Sequence, residues 1–104
     1  MASKRKIEID FANANAQAKK LDELSGQLLT VADRKIEDIL KGVSGNWNSQ
    51  SADIYLKKGS ILQSEMKGTA GQMHGIANDI REIARKIYEA EMRALERAKR
   101  RHSQ

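Results

Sequence analysis

From Phe11 onward, apolar residues recur at alternating spacings of three and four, the period of a helix packed along its length. One series runs Phe11, Ala14, Ala18, Leu21, Ser25 and Leu28, and continues through Ala32, Lys35, Ile39 and Gly42. A second runs Ala52, Tyr55, Gly59, Leu62, Met66 and Thr69, then Met73, Ile76, Ile80, Ile83, Ile87, Ala90 and Ala94. Between them, Gly42, Ser44, Gly45 and Asn46 can end a helix, because glycine and asparagine tolerate the left-handed conformation there. Asn48 or Ser49 can cap the helix that follows, with Asp53 in its first turns. The pattern predicts an all-α antiparallel hairpin: a helix over about residues 10–42, a turn over about 43–48 and a helix over about 49–98. Residues 1–9 read as extended, with Ile7 and Ile9 alternating and Asp10 as the cap. A linker of about six residues suits antiparallel neighbours, and a chain of 104 residues is one domain.

The apolar stripe of the first arm is wider than one neighbour can cover. Leu24, Leu29, Val31, Ile36, Leu40 and Val43 flank the series, and a lone hairpin gives each helix a single partner. This excess predicts a dimer or a bound partner helix, with Leu24, Leu28, Val31, Ile36 and Ile39 at the interface. Beside the second series lies a row of small residues, Ala70, Ala77 and Ala84, that lets a facing helix come close. Gly59 falls on the seam, where it permits a tight crossing. Gly68, Gly71 and Gly75 fall outside it, each costing roughly 1 kcal/mol against alanine. A continuous second helix, locally soft over residues 67–75, is expected. At 1.5 Å per residue the arms span about 50 and about 70 Å. The second therefore overhangs past Ile87, carrying Tyr88, Met92, Leu95 and a basic cluster.

Charge refines this picture. The net charge of +5 sits at the ends: Lys4, Arg5 and Lys6 contribute +3, residues from Arg93 on +4, and the segment between −2. Basic ends can attract nucleic acid or acidic membrane, and they equally describe solvated helix termini. The chain has no cysteine, which removes disulfides and thiolate chemistry, and no proline, so nothing forbids long helices. No apolar run approaches the roughly 18 residues of a membrane span. The basic N-terminus has no apolar stretch behind it, so a Sec signal peptide is not expected and membrane insertion is not either.

Candidate chemistry is sparse. His74 and His102 stand far apart with no metal-ligand spacing around them. Gly68, Gly71 and Gly75 follow no strand and make no phosphate loop. No catalytic residue, cofactor or metal is expected, and the chain reads as a non-enzyme. The arms are too long for a helix-turn-helix, and aromatic stacking platforms are missing, so no specific nucleic-acid target is expected. The informative stretch is the turn. Trp47, the sole tryptophan, is placed to fold back over the end of the hairpin, covering the last apolar residues of the first arm, such as Leu40 and Val43, and the first of the second, with its indole N–H near solvent.

The run Trp47-Asn48-Ser49-Gln50-Ser51-Ala52-Asp53-Ile54-Tyr55 in the turn of a hairpin of about 100 residues resembles the WXG family of small type VII secretion proteins. In that family an alanine and an aromatic follow a Trp-x-Gly turn at the offsets of Ala52 and Tyr55. Ser49 replaces the glycine, keeping the site small. The family's C-terminal export signal is Tyr-x-x-x-Asp/Glu. Here Tyr88 is followed four positions on by Met92, and the acid is Glu91 at three, on the same helical face. The resemblance implies a four-helix bundle made by two hairpins, as a homodimer or as a heterodimer with a small helical homologue. It also implies export through a membrane-embedded ATPase, hence a cytoplasmic protein before secretion by a bacterial type VII system. A branch of the family binds the helical N-terminal region of LXG-type toxins and targets them, and the departures at Ser49 and Met92 favour that partner role. Trp47 of one hairpin and Tyr88 of another would then form a composite recognition feature.

Two other readings remain at this point. One is a structural coiled-coil subunit of an unrelated assembly, with Trp47 as an end-plug. The other is a nucleic-acid or membrane-surface binder acting through the basic tails, recognisable by steep salt dependence.

Overall fold

The computed structural model describes residues 3–103, and the protein is all-α, two long helical arms joined by a short turn. Residues 1 and 2 of the expected extended segment lie outside the described residues. The first arm consists of α1 (Lys4–Thr30), a π-helical segment (Val31–Ile36) and α2 (Glu37–Asn46); the second is the single helix α3 (Ser49–Ser103). Packing divides the chain into two compact units, Met1–Leu21 with Gly75–Gln104, and Asp22–His74.

In the first unit, α1 begins six residues before the expected start. Ser3 caps it: the Lys6 backbone N–H donates to Ser3 Oγ at 3.2 Å and that of Ile7 to the Ser3 carbonyl at 3.1 Å. Asp10 is no cap but an interior residue, paired with Lys6 Nζ one turn earlier at 3.1 Å. The reason for the longer helix is Ile7. It stands four residues before Phe11, so a helical path extends the seam by one position, and Ile7 is 3% exposed while Ile9 remains at the surface. In α3, Ala77 and Ala84 are buried.

The unit Asp22–His74 holds the turn. Ser25, Ala32, Ala52 and Ala70 are buried in it, with Leu28, Met66 and Met73 half-buried. The expected seam of the first arm holds through Ala32. Beyond it, Lys35, Ile39 and Gly42 are exposed, whereas Ile36, Leu40 and Val43 turn inward. The π-helical segment explains the change, because a wider turn takes in one extra residue and advances the seam by one. It begins just after Thr30, whose hydroxyl donates to the Gly26 carbonyl at 3.0 Å, a contact that bends helices. α2 runs through Gly42, Gly45 and Asn46, which were expected to end it. It stops at Trp47, which takes an extended backbone (φ −104°, ψ 157°) with its N–H on the Val43 carbonyl at 3.1 Å. No described residue has a positive φ. The turn is therefore Trp47 and Asn48 alone, with Asn48 Oδ1 accepting the Ser51 N–H at 3.0 Å as the cap of α3.

In α3 the expected positions Ala52, Gly59, Met66, Met73 and Ile80 do face inward, but the positions between them are displaced by one residue. Tyr55, Leu62, Thr69, Ile76, Ile83, Ile87, Ala90 and Ala94 are all exposed. Burial falls instead on the alanine row, with Ala70 and Ala77 wholly inaccessible. Alanine has no side chain to hold two backbones apart, so the arms approach closely. The Ser25 hydroxyl reaches the Ala70 carbonyl at 2.7 Å. Helix α3 is continuous past its glycines, and no other atom lies within 4 Å of where a Cβ on Gly68, Gly71 or Gly75 would stand.

Candidate interaction surfaces

Three places gather the residues that the sequence singles out. At the turn, the Trp47 and Tyr55 rings meet edge to face, centroids 4.8 Å apart and planes at 77°, and both remain about half exposed. Ser49 opens α3 at the surface, and Ala52 is buried beneath. Trp47 thus lies over the first turns of the second arm, one of the two places expected for it. Leu40 sits over Gly59, and a β-carbon on Gly59 would collide with its Cδ2.

Tyr88 is not on an overhang. Because α1 starts at Lys4, Phe11 stacks against Tyr88 with centroids 4.7 Å apart and planes at 30°. Glu91 and Met92 are half-buried. Phe11, Tyr88, Ile7, Asp10 and Glu91 line a shallow cavity of about 180 Å³. The basic cluster lies beyond this cavity, and Arg100, Arg101 and His102 there suit the negative end of the helix dipole.

The third place is an apolar face in the unit Asp22–His74. The two flanks of its seam differ. On one, residues that follow a seam position by one meet across the helices: Asp22 Oδ1 and His74 Nδ1 at 2.7 Å, Asp33 Oδ1 and Lys67 Nζ at 2.8 Å. Gln63 Nε2 donates on the same side to the Ala32 carbonyl at 2.8 Å and to Glu37 Oε2 at 3.1 Å. Like flanks of an antiparallel pair share a side. The rows that precede a seam position by one therefore share the other side: Leu24, Val31 and Ile39 from the first arm, Tyr55 and Leu62 from α3. Leu24 is 53% exposed, Ile39 62% and Leu62 47%. Of the residues expected at a partner interface, Leu24, Val31 and Ile39 lie on this face, while Leu28 and Ile36 belong to the chain's own seam.

The roles of Phe11, Ser25 and Gln63 were not legible as such in the sequence. Ile7, four before Phe11, was the one available signal that the seam continues toward the N-terminus. No helix among the described residues is long and apolar enough to cross a membrane. No family model, curated protein or solved structure matches the chain.

Proposed function

We propose that this protein is a non-enzymatic type VII secretion substrate or targeting partner that binds a second helical chain for export. The observation that carries the reading is the apolar face over a seam built from alanine. The hairpin spends its smallest residues on its own packing and leaves Leu24, Ile39, Ile61 and Leu62 exposed, where a second helical chain would cover them. The turn, with Trp47 against Tyr55 and Ala52 beneath, adds the resemblance to the WXG family. The second chain would be a copy, a small homologue or the N-terminal region of an LXG-type toxin. Tyr88 and Glu91, three apart on α3, would serve as the tail signal, and the protein would be cytoplasmic until exported.

The test is Trp47→Ala in a strain with a type VII system. Export of the protein or of a toxin partner should fail while helicity and the melting temperature stay close to the parent's. If export continues and only stability changes, Trp47 is an end-plug and the protein a structural coiled-coil subunit.

A further inference from the structure

We propose that the C-terminal part of α3 carries a binding surface for the phosphate backbone of duplex nucleic acid, formed by Arg93, Arg97, Arg100 and Arg101. The surface lies within one compact unit and uses neither the turn nor the apolar face of the other. At 3.6 residues per turn the four arginines fall within an arc of roughly 100°, over about 12 Å of helix. All four are exposed, on the side turned away from the half-buried Glu91, Leu95 and Ala98. No acid between Arg93 and Arg101 falls within the arc, and Glu96 stands at its edge.

These arginines differ from those earlier in the same helix. Arg81 Nη1 donates to Asn78 Oδ1 at 3.0 Å, and Arg85 Nη1 pairs with Glu89 Oε1 at 3.1 Å. The side chains of Arg93, Arg97, Arg100 and Arg101 hold no ion pair or hydrogen bond among the described residues. The helix dipole accounts for Arg100 and Arg101, which stand in the last turn. Its pull fades within that turn and does not explain Arg93 and Arg97. Guanidinium groups suit phosphate, because their planar fork binds two of its oxygens at once.

The residues beside the arc favour a duplex over a bilayer. A helix lying on a membrane surface buries large apolar side chains next to its basic ones. Here the exposed neighbours are Ala90 and Ala94, while Met92 and Leu95 are half-buried. A duplex asks for no apolar contact. Its major groove, about 12 Å wide, admits an α-helix, and basic helices enter it with phosphates on either wall. No aromatic residue follows Tyr88, so single-stranded bases have no platform to stack on. The contact is with the backbone and carries no base sequence.

The test is fluorescence anisotropy of the full chain with a mixed-sequence duplex DNA of about 20 base pairs, titrated at about 50 and 200 mM salt. Four neutralised phosphates predict a log–log slope of about −3.6, a loss of about 100-fold over that range. Changing Arg93, Arg97, Arg100 and Arg101 together to Gln should abolish binding, with helicity by circular dichroism unchanged. Changing the exposed Lys19, Lys20, Lys57 and Lys58 to Gln removes the same charge elsewhere and should weaken binding by no more than about threefold. Vesicles of phosphatidylserine and phosphatidylcholine should not retain the parent chain at the higher salt. No binding to the duplex at the lower salt overturns the proposal. So does an equal loss in the arginine and lysine variants, which would make net charge the cause. Binding to the vesicles as tight as to the duplex overturns it as well.

Discussion

Leu40 occupies the space in which Gly59 would carry a β-carbon. The two residues meet only because the π-helical segment advances the seam of the first arm by one before α2 begins. Gly59→Ala should therefore destabilise by about 1–3 kcal/mol through overpacking, even though alanine is the better helix former. Gly71→Ala, in open space on the same helix, should stabilise by about 0.5–1 kcal/mol. Urea unfolding of the two variants should move in opposite directions, and a shared direction would contradict the Leu40 contact.

The π-helical segment holds one residue more than the seam needs. Deleting Arg34 should heal it into regular helix and keep Ile36, Leu40 and Val43 inward. The loss should be roughly 1 kcal/mol, the value of a disturbed Gln63–Ala32 hydrogen bond. Deleting Gln27, inside regular α1, rotates everything after it away from α3 and should cost several kcal/mol. Thermal melts compare the two directly. Equal damage would mean that the segment is not where the register changes.

The buried seam tolerates little volume. Ala70→Leu should cost about 1–3 kcal/mol by forcing the arms apart. Ser25→Ala removes the hydroxyl that reaches the Ala70 carbonyl and should cost about 1 kcal/mol. Chemical denaturation gives both values. A neutral Ala70→Leu would show that the arms are not closely packed there.

Phe11 covers Tyr88. Phe11→Ala should destabilise by about 1–2 kcal/mol, less than a fully buried phenylalanine because the site is half open. Amide exchange should rise around Tyr88 and Glu91 while the protection of Ala32 and Ala52 holds. Unchanged exchange at Tyr88 would mean that the stacking contributes nothing in solution.

Much of the architecture could be read from spacing alone. The hairpin, the continuity of α3, the seam from Phe11 to Ala32, the tight crossing at Gly59 and the capping by Asn48 all follow from periodicity and local residue chemistry. The candidate surfaces were less legible. Trp47 could be placed in the turn, but its partner Tyr55 depends on the turn having only two residues. Tyr88 was expected on an overhang because the alternation of Ile7 and Ile9 mimics a strand, and only the burial of Ile7 against α3 tells the two apart.

What the sequence by itself determined is where helix can form. The three-and-four period, the capping serine and asparagine and the absence of proline act locally, within a few residues of backbone. What only the tertiary structure decided is which row of each helix faces the other. α3 carries two adjacent rows, one of alanine and one of isoleucine, leucine and tyrosine, and hydrophobicity alone favours the larger. The alanine row wins because it lets the backbones close to a distance at which Ser25 bonds the Ala70 carbonyl and Leu40 fits over Gly59. That gain exists only between two helices already side by side, so no single stretch of sequence displays it.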